Sequence, residues 1–179
     1  MKFKETVWSV PVAVDDIPDT GLHIEIEASA EVRAAIAEVA GLRELPRLSA
    51  TFDLVKHGAR VSVTGQVSAT VGQTCVVTLE PIENQIEEPV DLVFAPPPAG
   101  APVEADGGRS RTSAEEPPEP LIDGHIDLGA VATEFLILGI DPYPRKAGAN
   151  FTPPERPDDG PHPFAALEAL KKRSEGPKS

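Results

Sequence analysis

The densest grouping of reactive side chains is Asp123-Gly124-His125-Ile126-Asp127, an imidazole flanked by two carboxylates. Such a trio could hold a metal or pair an acid with a base, and on it alone rests the idea of a small hydrolase or nuclease. A plainer reading competes: Asp123-Gly124 favours a turn, and Asp127 stands where it can cap a following helix. One histidine and two carboxylates also lack the spacing of dedicated metal sites, so neither a metal nor a cofactor is expected. The single cysteine, Cys75, excludes an internal disulfide and any zinc site made of several cysteines. Its nearest upstream cation is Arg60, which reads as a buried structural thiol without visible activation. His23, His57 and His162 read as surface or cap residues. There is no Gly-x-Ser-x-Gly elbow, phosphate-cradling loop or His-Glu-x-x-His helix. No catalytic residue is therefore assigned, and the chain is expected not to be an enzyme.

Charge says more. Residues 1–60 carry 7 basic and 10 acidic side chains, while residues 61–144 carry Arg109 and Arg111 against 14 acids. Residues 145–179 reverse the sign, with 7 basic and 5 acidic, inside a total of −13. An acidic middle repels phosphate backbones and attracts cationic partners, besides keeping a protein soluble. Glu83, Glu87 and Asp91 share parity and would line one face of an unbroken strand. That column is a candidate partner surface; it is equally what a protected sheet edge looks like.

The elements that would position these groups can be read in order. Leu22–Glu27 alternates as a strand with one wet face. Ser29 can cap a helix over 30–40, with Val32, Ile36 and Val39 on one side and Gly41 as its stop. Leu48 to Leu54 alternate, and His57-Gly58 turns the chain. Residues 61–71 then place Val61, Val63, Val67, Ala69 and Val71 on one face, with Gly65 marking a bend or bulge. Val76, Val77 and Leu79 are expected to enter a further strand pair around Glu80-Pro81, and Val90, Leu92 and Phe94 to leave it. Pro89 there suggests an edge strand or a break. Proline is high, 20 of 179 residues, and residues 95–120 read as a flexible Pro/Gly-rich loop. Asp127 can cap a helix from Leu128 to about Leu138, whose one charge is Glu134 and whose stripe is Leu128, Val131, Ala132 and Phe135. Asp141-Pro142-Tyr143-Pro144-Arg145 ends it. A last helix begins at Pro163, with Phe164, Leu167 and Leu170 on one side and Lys171-Lys172-Arg173 at its end. These elements imply an α+β fold: an antiparallel sheet, open or curled toward a barrel, covered by two or three short helices. The apolar start of the chain is interrupted by Glu5 and closed by Pro11, Asp15 and Asp16, so no signal peptide is expected. No run approaches a membrane span, and a cytoplasmic protein without membrane contact is expected.

Two blocks are distinctive as patterns. One is Val63-x-Gly65-x-Val67-x-Ala69-x-Val71 leading into Cys75-Val76-Val77-Thr78-Leu79-Glu80-Pro81-Ile82, with Phe94-Ala95-Pro96 beyond. The other is Ile126-Asp127-Leu128, then Glu134-Phe135-Leu136-Ile137-Leu138 and Asp141-Pro142-Tyr143-Pro144-Arg145. Together they resemble the YceD family, the large ribosomal RNA subunit accumulation proteins of bacteria and plastids, in its alphaproteobacterial form. The resemblance runs over roughly residues 20–175. It implies one domain over 1–175 with a flexible insertion at 95–120, leaving 176–179 as a disordered tail. It also implies a role in accumulation of large-subunit ribosomal RNA, without an established enzymatic activity. Many members read Cys-x-Arg-Cys where this chain has Cys75-Val76-Val77-Thr78, so no zinc or redox role attaches to Cys75 through the resemblance.

The expected function is a non-enzymatic ribosome biogenesis factor that binds a basic ribosomal protein or large-subunit assembly factor through its acidic surface. Candidate contact residues are Glu80, Pro81, Glu83, Glu87, Asp91, Glu134, Tyr143 and Arg145. Tyr143, held between two prolines, is either a pre-ordered aromatic anchor or a ring packed down on the sheet. Arg145 and Lys146 either reach a phosphate or pair with the acidic middle. The alternative is direct RNA contact through Arg145, Lys146 and Lys171 to Arg173. The oligomeric state is left open.

Overall fold

The computed structural model describes residues 7–97 and 118–151. Contacts divide the chain into two compact units, Met1–Ala149 and Asn150–Ser179, and the strands and helices among the described residues all belong to the first. The expected helix from Pro163 and the centre of the Pro/Gly-rich stretch, residues 98–117, lie outside the described residues.

Four strands carry the fold: β2 (Leu22–Glu27), β3 (Glu44–His57), β4 (Arg60–Thr74) and β5 (Pro81–Ala95), joined as neighbouring antiparallel strands. A two-residue strand, β6 (Glu119–Pro120), lies parallel to the end of β5. A separate ribbon pairs β1 (Pro11–Ala13) with β7 (His125–Asp127). The main sheet is open, with β2 at one end and β6 at the other, so it does not close into a barrel. Two of the expected short helices, α1 (Ala30–Ala40) and α2 (Leu128–Gly139), are present.

The alternation in β4 does what a period of two must do. Val61, Val63, Val67, Ala69 and Val71 are buried, against Leu48, Ala50, Phe52 and Leu54 of β3 and Ile86, Val90 and Phe94 of β5. Gly65 lies on this face, yet its pairing with Phe52 is in regular register. The bulge lies instead between Glu44 and Arg47. Glycine is required at 65 by approach: a methyl group there would collide with the Thr51 carbonyl oxygen.

Both helices start on the expected caps. The Ser29 hydroxyl accepts from Val32 N at 3.3 Å, and Gly41 closes α1 at φ 66°. Helix α1 buries Ile36 and Ala37, but Val39 in its last turn is left exposed. Helix α2 sits on the apolar face of the sheet with Leu128, Val131, Ala132 and Leu136 buried and Phe135 partly so.

Two further expectations change, and at Pro89 the first of two alternatives, an edge strand, is the one present. Val76–Leu79 is a turn rather than a strand, with Leu79 at φ 60°, because its backbone bonds to itself and to the chain after α2. Strand β5 runs unbroken through Pro89, which faces Gln66. Only Phe94 and Ala95 of β5 are paired to β6, so among the described residues a missing N–H at 89 meets an open edge. The two ends of the 95–120 stretch are not loop: Leu121 N donates to Ala95 O at 2.9 Å and draws Glu119–Pro120 alongside β5.

Candidate partner-binding surfaces

Strand parity puts Glu83, Glu87 and Asp91 on the solvated face of β5, all exposed. Register then extends the acid across the sheet. Asp91 lies across from Thr64, which pairs with Asp53, which pairs with His23. Two rows along on the same face, Glu87, Ser68, Ser49 and Glu27 follow each other. Glu25 completes the β2 side. Two acidic borders thus flank a band of Ser, Thr and Gln, with Arg47 as the cation within the band and Arg60 at the hairpin tip. His23 answers part of the charge: its Nδ1 is 2.8 Å from Asp53 Oδ1 and its Nε2 is 3.6 Å from Glu25. The hydrogen bond to Asp53 raises its pKa above the ordinary imidazole value.

Glu80 and Pro81 stand apart, in a platform made by the Cys75–Glu80 turn and the chain after α2. Cys75 N donates to Glu80 O and Leu79 N to Cys75 O, both at 2.9 Å, closing the turn. Val76 N donates to Pro144 O at 2.9 Å, which docks the Pro-Tyr-Pro segment against it. A polar thread holds the same segment from beneath: Asn84 Nδ2 donates to Gln73 Oε1 at 2.8 Å and Gln73 Nε2 to Asp141 O at 2.8 Å. Asp141 in turn accepts from Tyr143 N at 2.8 Å. The result buries Pro144 and leaves Tyr143 72% exposed, so its ring does not pack on the sheet. Lys146 Nζ lies 3.0 Å from Glu80 Oε2 and holds that carboxyl below its usual range. Arg145 is exposed beside it.

Cys75 is fully buried, as its sequence surroundings suggest, but it has partners the sequence did not reveal. Its Sγ accepts from Lys146 N at 3.3 Å and from Thr78 N at 3.4 Å. These N–H groups, the Lys146 amide foremost, lower the thiol from 9.0 to about 6 against the opposing effect of burial.

The Asp123–Asp127 grouping shows no imidazole–carboxylate hydrogen bond among the described residues. Asp123 and Gly124 form a left-handed turn at φ 51° and 74°. His125 Nδ1 lies 2.8 Å from the Asp123 carbonyl oxygen, not from a carboxylate. Asp127 accepts from Ser9 Oγ and from the backbone N–H groups of Val10, Gly129 and Ala130, at 2.7–3.2 Å. It is a helix cap and a clasp for the N-terminal strand. No cluster of three potential metal ligands occurs among the described residues, and none of their helices is long and apolar enough to cross a membrane.

Glu134 is not part of the column. It projects from α2 on the opposite side of the sheet, where α2, β5 and the 119–127 segment enclose a groove of about 700 Å3.

A family model described as large ribosomal RNA subunit accumulation protein YceD matches residues 63–171. The chain belongs to the YceD family. The match begins within β4 and takes in the Cys75 turn, β5, β6, β7 and α2. No curated protein and no solved structure matches the chain. The family's description places it in large-subunit ribosomal RNA accumulation, and hence in ribosome biogenesis. The YceD match covers all eight candidate contact residues, from Glu80 to Arg145, although the fold divides them among three places.

Proposed function

We propose that this YceD protein supports large-subunit ribosomal RNA accumulation without catalysing a reaction, by holding a basic ribosomal protein or assembly factor on the acidic face of its sheet. The observation that carries the reading is the exposed column Glu83, Glu87 and Asp91, widened by register to Glu25, Glu27 and Asp53. A cationic partner gains attraction and steering from such a face, whereas an RNA backbone is repelled. Tyr143 and Arg145 offer an exposed anchor and a rim contact on the neighbouring platform. Direct RNA contact draws less support, since Lys146 is already engaged by Glu80.

The test is capture of the tagged full chain from its own cells, with and without ribonuclease. A basic large-subunit protein or assembly factor should persist after ribonuclease and dissociate with rising salt. Ribosomal partners that vanish with the RNA would overturn the reading.

A further inference from the structure

The groove between α2 and β5 is chemically unlike the sheet face. Its walls are Leu92 and Phe94 from the inward side of β5, Val131, Phe135 and Leu138 from α2, and Ile122 from the turn before β7. Two of these are large apolar side chains left open, Leu138 at 72% and Ile122 at 52% exposure. The polar groups around it are Glu119, Asp123 and Glu134, together with the engaged Asp127, His125 and Ser9; no lysine or arginine among the described residues lines it. Water against such walls is unfavourable, at roughly 25 cal/mol per Å2 of apolar area. The volume of about 700 Å3 suits a few side chains rather than a folded domain.

We infer that this groove is a docking site for a short amphipathic segment of a partner protein, with apolar side chains seated on Leu138, Phe135 and Ile122 and lysine or arginine flanks meeting Glu119, Asp123 and Glu134. Charge complementarity selects the occupant: an uncharged segment would leave three rim carboxylates without a counter-charge, and an acidic one would be repelled. The inference rests on the basic-partner reading above and adds a second contact for that partner. Along β5 the two sites alternate residue by residue, with Asp91 on the acidic face and Leu92 in the groove. One partner can therefore grip both by passing around the β5 edge.

A photo-crosslinking amino acid placed at Leu138 of the full chain, in its own cells, tests this. A parallel probe at Glu87 reports on the sheet face. Leu138 is exposed, so the probe should leave the fold intact, which thermal unfolding verifies. The expected adduct at 138 joins one peptide of a different protein that carries apolar residues flanked by lysine or arginine. Its yield should fall about tenfold when Glu119→Gln, Asp123→Asn and Glu134→Gln are combined, and likewise with Ile122→Asp. An adduct within this chain, between two copies, with a segment lacking basic residues, insensitive to those changes, or absent altogether overturns the inference. A basic protein joined at 87 with none at 138 overturns the groove and leaves the sheet-face reading standing. No basic protein at either position overturns both.

Discussion

Cys75 joins two segments far apart in sequence through a single sulfur. Its folded pKa of about 6 against 9.0 means that between those values the unfolded chain retains a proton the folded chain has lost. Stability from this group is fully present above 9.0, shrinks as pH falls, and is lost on passing below about 6. The difference in urea midpoint between the natural chain and Cys75→Ala should therefore widen as pH rises from 6 toward 9; a difference independent of pH would refute the thiolate. Tyr143 makes the opposite kind of prediction. The residue is 72% exposed, so Tyr143→Ala should change stability by less than about 0.5 kcal/mol. The same change should weaken capture of the basic partner by about tenfold if the ring is an anchor. Calorimetry of the variant and titration with the captured partner separate the two effects.

Among the elements, α2 depends most on one side chain. Asp127 satisfies two donors at the helix start and two more from Ser9 and Val10. Asp127→Ala should cost about 2 kcal/mol, the upper end for a lost cap, because the N-terminal strand is released with it. Ser29 caps only α1, and Ser29→Ala should cost about 1 kcal/mol. Chemical denaturation of both variants checks the order. In β4, Gly65→Ala should destabilise by about 3 kcal/mol, the high end for overpacking, since the Thr51 carbonyl has no side-chain freedom with which to yield. An unchanged midpoint would mean that β3 and β4 can separate locally.

At the scale of the whole molecule, charge among the described residues is laid out in layers. One face of the sheet is acidic and wet, the other apolar beneath α2, and the acidic rim of the groove lies beyond. Glu83→Gln, Glu87→Gln and Asp91→Asn together remove three exposed charges that make no ion pair among the described residues. Stability should therefore move little, while partner affinity should fall and lose part of its salt dependence. Binding measured at low and at physiological salt checks this: equal losses at both would point away from electrostatics.

Features that depend on near neighbours were legible along the chain. Ser29, Gly41 and Asp127 act on backbone groups within a turn, so the starts of α1 and α2 could be read from residue type and spacing. The period of two in β4 and β5 settled which side chains are wet, and with it the alignment of Glu83, Glu87 and Asp91. The family resemblance was legible for the same reason, in contiguous motifs. Packing between distant segments settled the rest. Val76–Leu79 carries strand-forming residues, but its hydrogen bonds go to a turn and to Pro144, so tertiary contacts overrode propensity. The Cys75–Lys146 contact spans 71 residues and leaves no periodic trace. Glu134 and the column are both acidic and exposed, yet only the placement of α2 over the inward face of β5 puts them on opposite sides of the sheet. A groove has no signature along a chain: it exists where two elements meet, and only their packing decides which apolar side chains remain uncovered.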